Sequence, residues 1–526
     1  MTVKRIMGIE TEYGISCTSN SAAHENHALL SFEQIQAVAK RNPHLRHVMW
    51  DYGFEDPVHD ARGFHMPRAH VNSDLLTDRE NFRSTNVPQP NGARIYVDHA
   101  HPEYSSPEVL TPQQALIYDR AGDAIMHEAA QSTHDDSNAQ LPLTLYRNNV
   151  DGKGSSWGSH ENYQVKRAVS FNHLATIFTT HAVTRQIYTG TGRVGIGEKS
   201  EKAGFQISQR ADYFKTDIGL QTTYDRPIVN TRDESHSTSE YRRFHVITGD
   251  ANRMDVPEIL KLGTTSLLLW ALEECVQREI SYDDFLQSMT LKHPVNAMHE
   301  VSHDLALTHA LEMYGGEDLT AFQCQLRLRS WIYSIAAAVY ETDSRGEPLW
   351  PDDETKEIMD LWAQALKDIA QLIHADDNER LTLKESAARL EWFAKWQILE
   401  SMRRRKECAW DNPLMQAMDI SWAQMGTNSL WNKISSRTQK IASDAAISYA
   451  MGNPPDNTRA YTRGMCLQKY APYLTAISWD SAIFSNNEAD KPIVISLANP
   501  AQHTREEMTD TFTAEHKIEE VLSRLA

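Results

Sequence analysis

The strongest constraint on the fold is a change of hydrophobic period near residue 250. Before it, residues 93–100, 143–149, 161–169 and 242–249 carry β-branched or aromatic side chains at a period close to two, which is typical of strands. After it, residues 257–406 place apolar side chains at helical spacing. A strand-rich half followed by a helical block predicts an α+β fold, with a curved antiparallel sheet flanked by helices.

The C-terminal part of the chain reads as a separate small unit. The breaker "GNPPDN" at 452–457 is followed by strand-like segments and then by a helical pattern with one apolar face. That face comprises Ile518, Val521, Leu522 and Leu525. We therefore predict a catalytic domain over residues 1–445 and a small C-terminal domain over 446–526 that ends in a docking helix.

Residues 38–90 stand apart from the periodic segments. Their clear signals are turns, and the stretch is rich in proline and asparagine towards its end. Long irregular insertions are more often functional than packed. We therefore predict a loop insertion in the catalytic domain, with the alternative that Trp50, Tyr52 and Phe54 are packing residues.

Composition excludes several classes of function. The 526 residues include 71 acidic and 52 basic ones, for a net charge of -19, which argues against general nucleic-acid binding. Five scattered cysteines without a CxxC pair suit a reducing compartment and favour neither a zinc site nor disulfides. No apolar run is long enough to span a bilayer. We expect a cytoplasmic protein without nucleic-acid or membrane partners.

Carboxylates and imidazoles recur at strand-like positions. In "MGIETEYGIS", Glu10 and Glu12 share one strand face, which taken alone favours a solvated face. In "NGARIYVDHAHPEYSSPE", Asp98 ends a strand and is followed by two histidines and Glu103, a density that is unusual for an inert turn.

Two later segments add to this set. The loop at 151–167 delivers His160 and Asn162 to one strand face, and Arg243 and His245 share a face in a further strand. Any one of these histidines alone is most often a simple hydrogen-bonded residue. Together with the carboxylates they predict a site for a hard divalent cation such as Mg²⁺ that also contacts phosphates.

Several motifs resemble the family of Pup ligases and depupylases. They are "MGIETEYGIS", "NGARIYVDHAHPEYSSPE", "NNVDGKGSSWGSHENY", "GFQISQRADY", "VNTRDESH" and "YRRFHVITGDAN". The likeness covers most of residues 4–276 and implies a glutamine-synthetase-like (carboxylate–amine ligase) fold with a small C-terminal domain. The insertion "WDYGFEDPVHDARGF" and the spacing of "YVDHAHPEY" resemble the deamidase and depupylase branch more than the ligases.

The resemblance implies roles for individual residues. One Mg²⁺ would be held by Glu10, Tyr96 and Glu103, and a second metal region by His160 and His245 with Glu12 beside them. ATP would contact the following residues: Gly8, Ile9, Glu12, Ser105, Ser106, Asn162 and Arg243. Asp98 would be the catalytic carboxylate, and Arg210 and Arg232 would bind phosphate or the C-terminal carboxylate of Pup.

The implied activity is that of an ATP- and Mg²⁺-dependent amidohydrolase. It would remove Pup from pupylated proteins by isopeptide hydrolysis, and would deamidate the C-terminal glutamine of Pup where Pup ends in glutamine. ATP would organise the site without being consumed in each turnover. Asp98 could act as nucleophile or as general base, and the residues leave both open. The alternatives are a Pup–protein ligase and an inactive Pup-binding adaptor; we expect a monomer that binds acidic Pup through a local basic groove.

Overall fold

The computed structural model describes residues 2–17, 26–53, 55–56, 59–65, 86–135, 142–234, 236–485, 492–513 and 516–525. Its helices are α1 (His27–Arg41), α2 (Pro112–Asp135), α3 (Phe171–Thr184), α4 (Gln186–Thr189), α5 (Asp255–Gln277), α6 (Asp283–Ser288), α7 (Pro294–His303), α8 (Ala321–Val339), α9 (Asp353–His374), α10 (Asp377–Arg380), α11 (Lys384–Ala387), α12 (Glu391–Lys406), α13 (Pro413–Ala423), α14 (Leu430–Ile434), α15 (Asp444–Gly452), α16 (Ala460–Lys469), α17 (Arg505–Thr513) and α18 (Ile518–Leu525).

Its strands are β1 (Met7–Glu12), β2 (Gly14–Cys17), β3 (Met49–Trp50), β4 (His59–Asp60), β5 (Phe64–His65), β6 (Asn86–Pro88), β7 (Arg94–Asp98), β8 (His101–Ser105), β9 (Leu143–Tyr146), β10 (Ser159–Lys166), β11 (Arg193–Ile196), β12 (Lys202–Gln206), β13 (Phe214–Gly219), β14 (Arg226–Asn230), β15 (Tyr241–Val246), β16 (Ala310–Leu311), β17 (Leu319–Thr320), β18 (Leu474–Ile477), β19 (Ser481–Phe484) and β20 (Ile493–Ser496). Helices α5, α8, α9 and α12 fall in the predicted helical block, but the change of period missed three helices of 14 or more residues before residue 250, among them α2 with 24 residues.

A six-stranded antiparallel sheet organises the molecule, in the order β15-β10-β1-β8-β7-β6. The predicted α+β fold on an antiparallel sheet is confirmed. The register places Glu10 opposite both His160 and Ser105, and Glu12 opposite Glu103. Because side chains alternate between faces, this register brings the polar residues of neighbouring strands onto one face.

The opposite face of the sheet packs against helices. Ile9, Tyr163 and Phe244 belong to a large core cluster that also includes the apolar residues of α3 and α5. Helix α5 is buried on nearly all sides, which explains its continuous apolar run. Among the described helices, none combines the length and apolar character that crossing a membrane requires. The sheet thus has a packed apolar face and a polar face that is free to line a site.

A second, smaller core lies at the C-terminal end of the chain. Its sheet has the order β20-β19-β18-β3, and α16, α17 and α18 pack beside it. Helix α18 buries its apolar face as predicted, through Ile518, Val521, Leu522 and Leu525. Leu45, Val48 and Trp50 also contribute to this core although they lie more than 400 residues earlier in the chain.

The prediction of turns throughout 38–90 is wrong at both ends. Helix α1 continues to Arg41, and β6 (Asn86–Pro88) is an edge strand of the main sheet. Trp50 is only 6% exposed and pairs in parallel with Ile477, so packing is its structural role. Two-residue strands with distant partners leave no periodic signal, which is why the sequence pattern missed β3. Phe54 and residues 66–85 lie outside the described residues.

The division at residue 445 stays a prediction. Helix α15 spans that position and packs against α2 of the N-terminal part, whereas the second core begins near Tyr461.

Candidate active site

The polar face of the main sheet lines a cavity of about 580 Å³. Strands β1, β7, β8, β10 and β15 supply eight of its polar side chains, which are Glu10, Glu12, Tyr96, Asp98, His101, Glu103, His160 and His245. Loops and turns add Glu55, His99, Glu198 and Asp225. In β10 the buried and half-buried positions alternate strictly, which turns His160 and Asn162 to this side. The prediction that several strands direct acids and imidazoles to one face is confirmed.

Glu10, His160 and His245 form the first cluster of candidate metal ligands. One ligand atom from each lies within 4.8 Å of the others. The Glu10 carboxylate is 3.2 Å from Nδ1 of His160 and accepts a 2.9 Å hydrogen bond from Nδ2 of Asn162. The strands β1, β10 and β15, which are neighbours in the sheet, therefore build this cluster by register alone.

Asn162 also fixes the orientation of His245. Because its Nδ2 donates to Glu10, its Oδ1 faces Arg243 at 3.2 Å and Nδ1 of His245 at 2.8 Å. An amide oxygen only accepts, so Nδ1 of His245 donates, and Nε2 of the neutral ring carries a lone pair. A metal-ligating histidine is usually oriented in this way.

The protonation states of this cluster suit a cation. Burial alone would raise the pKa of Glu10, but the hydrogen bond from His160 and the charge of Arg243 hold that pKa well below its usual value. Burial lowers the pKa of His245 well below its usual value, and the charge of Arg243 lowers it further. An ionised carboxylate and a neutral imidazole are the forms that bind metals.

Glu12, Asp98 and Glu103 form the second cluster, again with ligand atoms within 4.8 Å of one another. Oε1 of Glu12 accepts a 2.7 Å hydrogen bond from the Gly158 amide. Tyr96 donates a 2.5 Å hydrogen bond to Oε1 of Glu103. Burial raises the pKa of Glu103 well above its usual value, and the charges of Asp98, Glu10 and Glu12 raise it further. Three carboxylates this close repel one another, and a bound cation would offset that repulsion. Oxygen ligands are those that Mg²⁺ prefers.

The geometry groups these side chains differently from the resemblance. Glu10 stands with the two histidines rather than with Tyr96 and Glu103, and Glu12 joins the carboxylates. Tyr96 meets the second cluster through its bond to Glu103. Imidazole nitrogens are also softer ligands than Mg²⁺ prefers, so the first cluster would hold Mg²⁺ mainly through Glu10 and non-protein oxygens.

Asp98 lies at the end of β7, belongs to the second cluster and lines the cavity. Its Oδ2 is 2.6 Å from Nδ1 of His99. Burial would raise the pKa of Asp98, but the hydrogen bond from His99 and the charges of His99, His160 and Arg232 keep that pKa below its usual value. Asp98 is therefore ionised, as both a nucleophile and a general base must be.

Arginines line the wall that faces the carboxylates. Arg210 is buried, and burial together with the charge of Arg226 lowers the pKa of Arg210 to about 9. Its Nε has no hydrogen-bond partner among the described residues. Arg232 pairs with Glu234 at 3.0 Å and also lines the cavity. Arg226 was missed by the sequence analysis, because a single arginine at the start of a strand carries no distinctive signal.

A narrow pocket of about 100 Å³ adjoins the cavity, and Glu10 lines both. The predicted ATP-contacting residues that meet there are Gly8, Ile9, Ser105, Ser106, Asn162 and Arg243. The other wall comes from Arg459, Trp479 and Pro500. These three residues were not predicted, since nothing in their local sequence connects them with strands more than 200 residues away. All the assigned roles stay predictions.

Comparison with known proteins places this site in a family. The family model described as Pup-ligase protein matches residues 5–483. The chain is 39% identical over 534 residues to the depupylase of Acidothermus cellulolyticus, covering 99% of each chain. It is 39% identical over 492 residues to the Pup deamidase/depupylase of Mycolicibacterium smegmatis, covering 92% of each. It is 30% identical over 474 residues to the Pup–protein ligase of an Arthrobacter species, covering 88% of each.

Two solved structures have the same fold. One is the complex of the prokaryotic ubiquitin-like protein Pup with its ligase PafA, with a TM-score of 0.75 and 25% identity, covering 100% of this chain and 92% of that one. The other is PafA in complex with ADP, with a TM-score of 0.68 and 28% identity, covering 82% and 90%. The chain therefore belongs to the family of Pup ligases and depupylases.

Proposed function

We propose that the protein is an ATP- and Mg²⁺-dependent amidohydrolase that releases Pup from pupylated proteins and deamidates a C-terminal glutamine of Pup. One observation carries the proposal: an acidic cavity with two candidate metal clusters opens onto a narrow pocket at Glu10. Two relatives that match at least 92% of the chain at 39% identity are named depupylase and Pup deamidase/depupylase. We also propose that the protein is a cytoplasmic monomer and that Pup is its partner.

ATP would occupy the narrow pocket with its phosphates towards the cavity. The narrow pocket is lined by Ser105, Ser106 and Trp479. Arg243 also lines it, and its guanidinium lies 3.7 Å from the Glu10 carboxylate that the pocket shares with the cavity. A related Pup ligase binds ADP in its solved structure, which supports a nucleotide here. Glu12, Glu103 and Glu10 would hold Mg²⁺, which would neutralise phosphate charge and polarise a carbonyl group.

Asp98 would carry out the chemistry on the substrate. The substrate is an amide at the side chain of the last residue of Pup, which is a weak electrophile. Ionised Asp98 would either attack the amide carbon or take a proton from a water molecule, and its position in the cavity lining suits both routes. Arg210, Arg226 and Arg232 would hold the developing oxyanion or a terminal carboxylate.

The second candidate is a Pup–protein ligase. The solved structures with this fold are of the ligase PafA, so the fold is compatible with either reaction. A ligase has to convert a carboxylate into an acyl phosphate and consumes one ATP for each bond, whereas amide hydrolysis is downhill and needs no such activation. The identity of 39% to the Acidothermus depupylase, against 30% to the Arthrobacter ligase, favours hydrolysis.

The test is to incubate the protein with a pupylated substrate, Mg²⁺ and ATP, and to follow release of the unmodified substrate by gel electrophoresis. We expect release that requires nucleotide and Mg²⁺, with far less ADP formed than substrate released. A parallel reaction contains Pup ending in glutamate, a lysine-bearing acceptor and ATP. Growing conjugate with equal ADP would identify a ligase, and nucleotide and Pup binding without either reaction would identify an adaptor.

A further inference from the structure

The hairpin that joins β7 to β8 has an unfavourable backbone. The strands pair up to Asp98 opposite His101, so His99 and Ala100 form a two-residue loop. Both have positive φ, at 42° and 74°. Tight hairpins of this kind normally use Asn–Gly, because side chains other than glycine are disfavoured at positive φ. A His–Ala pair at this point therefore needs a reason.

Contacts from two sides hold this turn among the described residues. The hydroxyl of Ser31 in α1 donates a 2.7 Å hydrogen bond to the Ala100 carbonyl. The hydroxyl of Thr223, which also lines the cavity, lies 3.4 Å from Nε2 of His99. The backbone and the imidazole are therefore both constrained, and the imidazole is turned towards the site.

The contact that results is with the predicted catalytic carboxylate. Nδ1 of His99 lies 2.6 Å from Oδ2 of Asp98. Among the residues that the structure describes, His99 makes the only side-chain hydrogen bond to Asp98. Carboxylate oxygens of Glu12 and Glu103 lie within 4.8 Å of the Asp98 carboxylate. Two neighbouring carboxylates repel Asp98, so a single donor determines which way its oxygens face.

We propose that His99 is a positioning residue: its Nδ1–H anchors Oδ2 of Asp98 and leaves the other carboxylate oxygen facing the reacting amide. This inference rests on the proposed function, because Asp98 has to be the reacting carboxylate. An ionised carboxylate accepts only, so Nδ1 of His99 is the donor in this hydrogen bond. Holding a reacting group in one orientation raises the rate of the chemical step rather than the affinity for substrate.

The test compares three variants with the wild-type protein in steady-state release of a pupylated substrate. His99→Ala removes the donor, His99→Asn retains a donor in a residue that tolerates positive φ, and Ala100→Gly relaxes the turn without touching the imidazole. We expect His99→Ala to lower kcat about tenfold or more with KM nearly unchanged. His99→Asn should recover part of that loss, and Ala100→Gly should stay close to wild type.

Other outcomes overturn the inference. An equal loss in Ala100→Gly would show that only the turn conformation matters, and a raised KM with unchanged kcat would make His99 a substrate contact. Wild-type protein without any activity would refute the proposed function. The hydrogen bond between His99 and Asp98 would then be tested by spectroscopy alone. With ¹⁵N-histidine labelling, we expect a downfield Nδ1–H signal that is absent from His99→Ala and shifts upfield in Asp98→Asn. Its persistence in Asp98→Asn would contradict the hydrogen bond.

Discussion

The broad cavity and the narrow pocket share Glu10 but are built in different ways. The two candidate metal clusters of the cavity come from one face of one sheet, within the first 245 residues. The narrow pocket is half sheet and half C-terminal segment, with Arg459 and Trp479 closing it. Strand register thus places the candidate metal ligands, whereas the narrow pocket depends on the docking of a distant part of the chain.

The two regions also differ in how their charges are balanced. In the cavity, Glu12, Asp98 and Glu103 lie together, and their close basic contacts among the described residues are histidines, His101 at 3.7 Å from Glu12 and His99 at 2.6 Å from Asp98. At the narrow pocket, Glu108 is paired with two arginines, Arg459 at 2.5 Å and Arg463. Changes in the cavity should therefore affect metal binding and turnover, and changes at the pocket should affect nucleotide affinity and the docking of the C-terminal segment.

The largest effect is expected for Asp98→Asn. Loss of the ionised carboxylate should lower substrate release by about 10²-fold or more, while nucleotide binding stays within a few-fold of wild type. Asp225→Asn is the matched control, because Asp225 is an exposed carboxylate on the rim of the same cavity. Release rates and ATP titration calorimetry measure the two effects. Normal release by Asp98→Asn would remove Asp98 from the catalytic role.

Glu10→Gln should affect both regions, since Glu10 lines both. Removing its charge weakens the cation site and leaves phosphate charge uncompensated, so Mg²⁺-dependent ATP affinity should fall by about tenfold or more. Calorimetry with and without Mg²⁺ separates the metal contribution. Glu55→Gln serves as control, because Glu55 lines only the cavity. Unchanged affinity in Glu10→Gln would return Glu10 to a solvated strand face.

The cavity could be predicted from the sequence because a strand converts spacing into direction. Glu10, His160 and His245 each lie at alternating positions of strand-like runs, and antiparallel pairing needed only the right neighbours to bring them together. The pairing of Glu10 with histidines could not be predicted, since register depends on tertiary packing. The resemblance identified the candidate metal ligands, but the two clusters in which they lie became clear only from the structure.

The narrow pocket and the start of the 38–90 segment could not be predicted in the same way. Trp50 packs edge-on against Trp479 with ring centroids 5.0 Å apart, and Arg94 lies 4.5 Å from the Trp50 ring centroid. These contacts join three parts of the chain separated by about 40 to 430 positions. No local period encodes such contacts, and the packing of Leu45, Val48 and Trp50 in the second core shows that the start of this segment is part of the folded structure.

Trp479→Ala tests whether the narrow pocket contributes to nucleotide affinity separately from the cavity. Trp479 lines that pocket and lies against Trp50. Its removal should weaken ATP binding by up to about tenfold, the value of a lost aromatic contact, and should lower release only at subsaturating ATP. Trp479→Phe should keep most of the affinity. A fall in release at saturating ATP would show that the pocket wall also shapes the reacting site.

The smallest effect concerns the pH dependence of docking at Glu108. Burial would raise the pKa of Glu108, but Arg463 and Arg459 lower it to about 2. Because the folded pKa is below that of the unfolded chain, the pair stabilises the protein fully above about pH 5 and loses this contribution as the pH falls towards 2. Between pH 7 and pH 4 the loss should be about 1 kcal/mol.

Comparison with Glu108→Gln isolates this contribution from the titration of the other acidic residues. The variant leaves Arg459 and Arg463 without their carboxylate, so it should be less stable than wild type at pH 7. Since glutamine does not titrate, the gap between the two urea midpoints should narrow from pH 7 to pH 4. A gap that is constant with pH would mean that Glu108 has an ordinary pKa, and the C-terminal segment would then be held to the sheet by apolar packing such as Trp50 on Trp479.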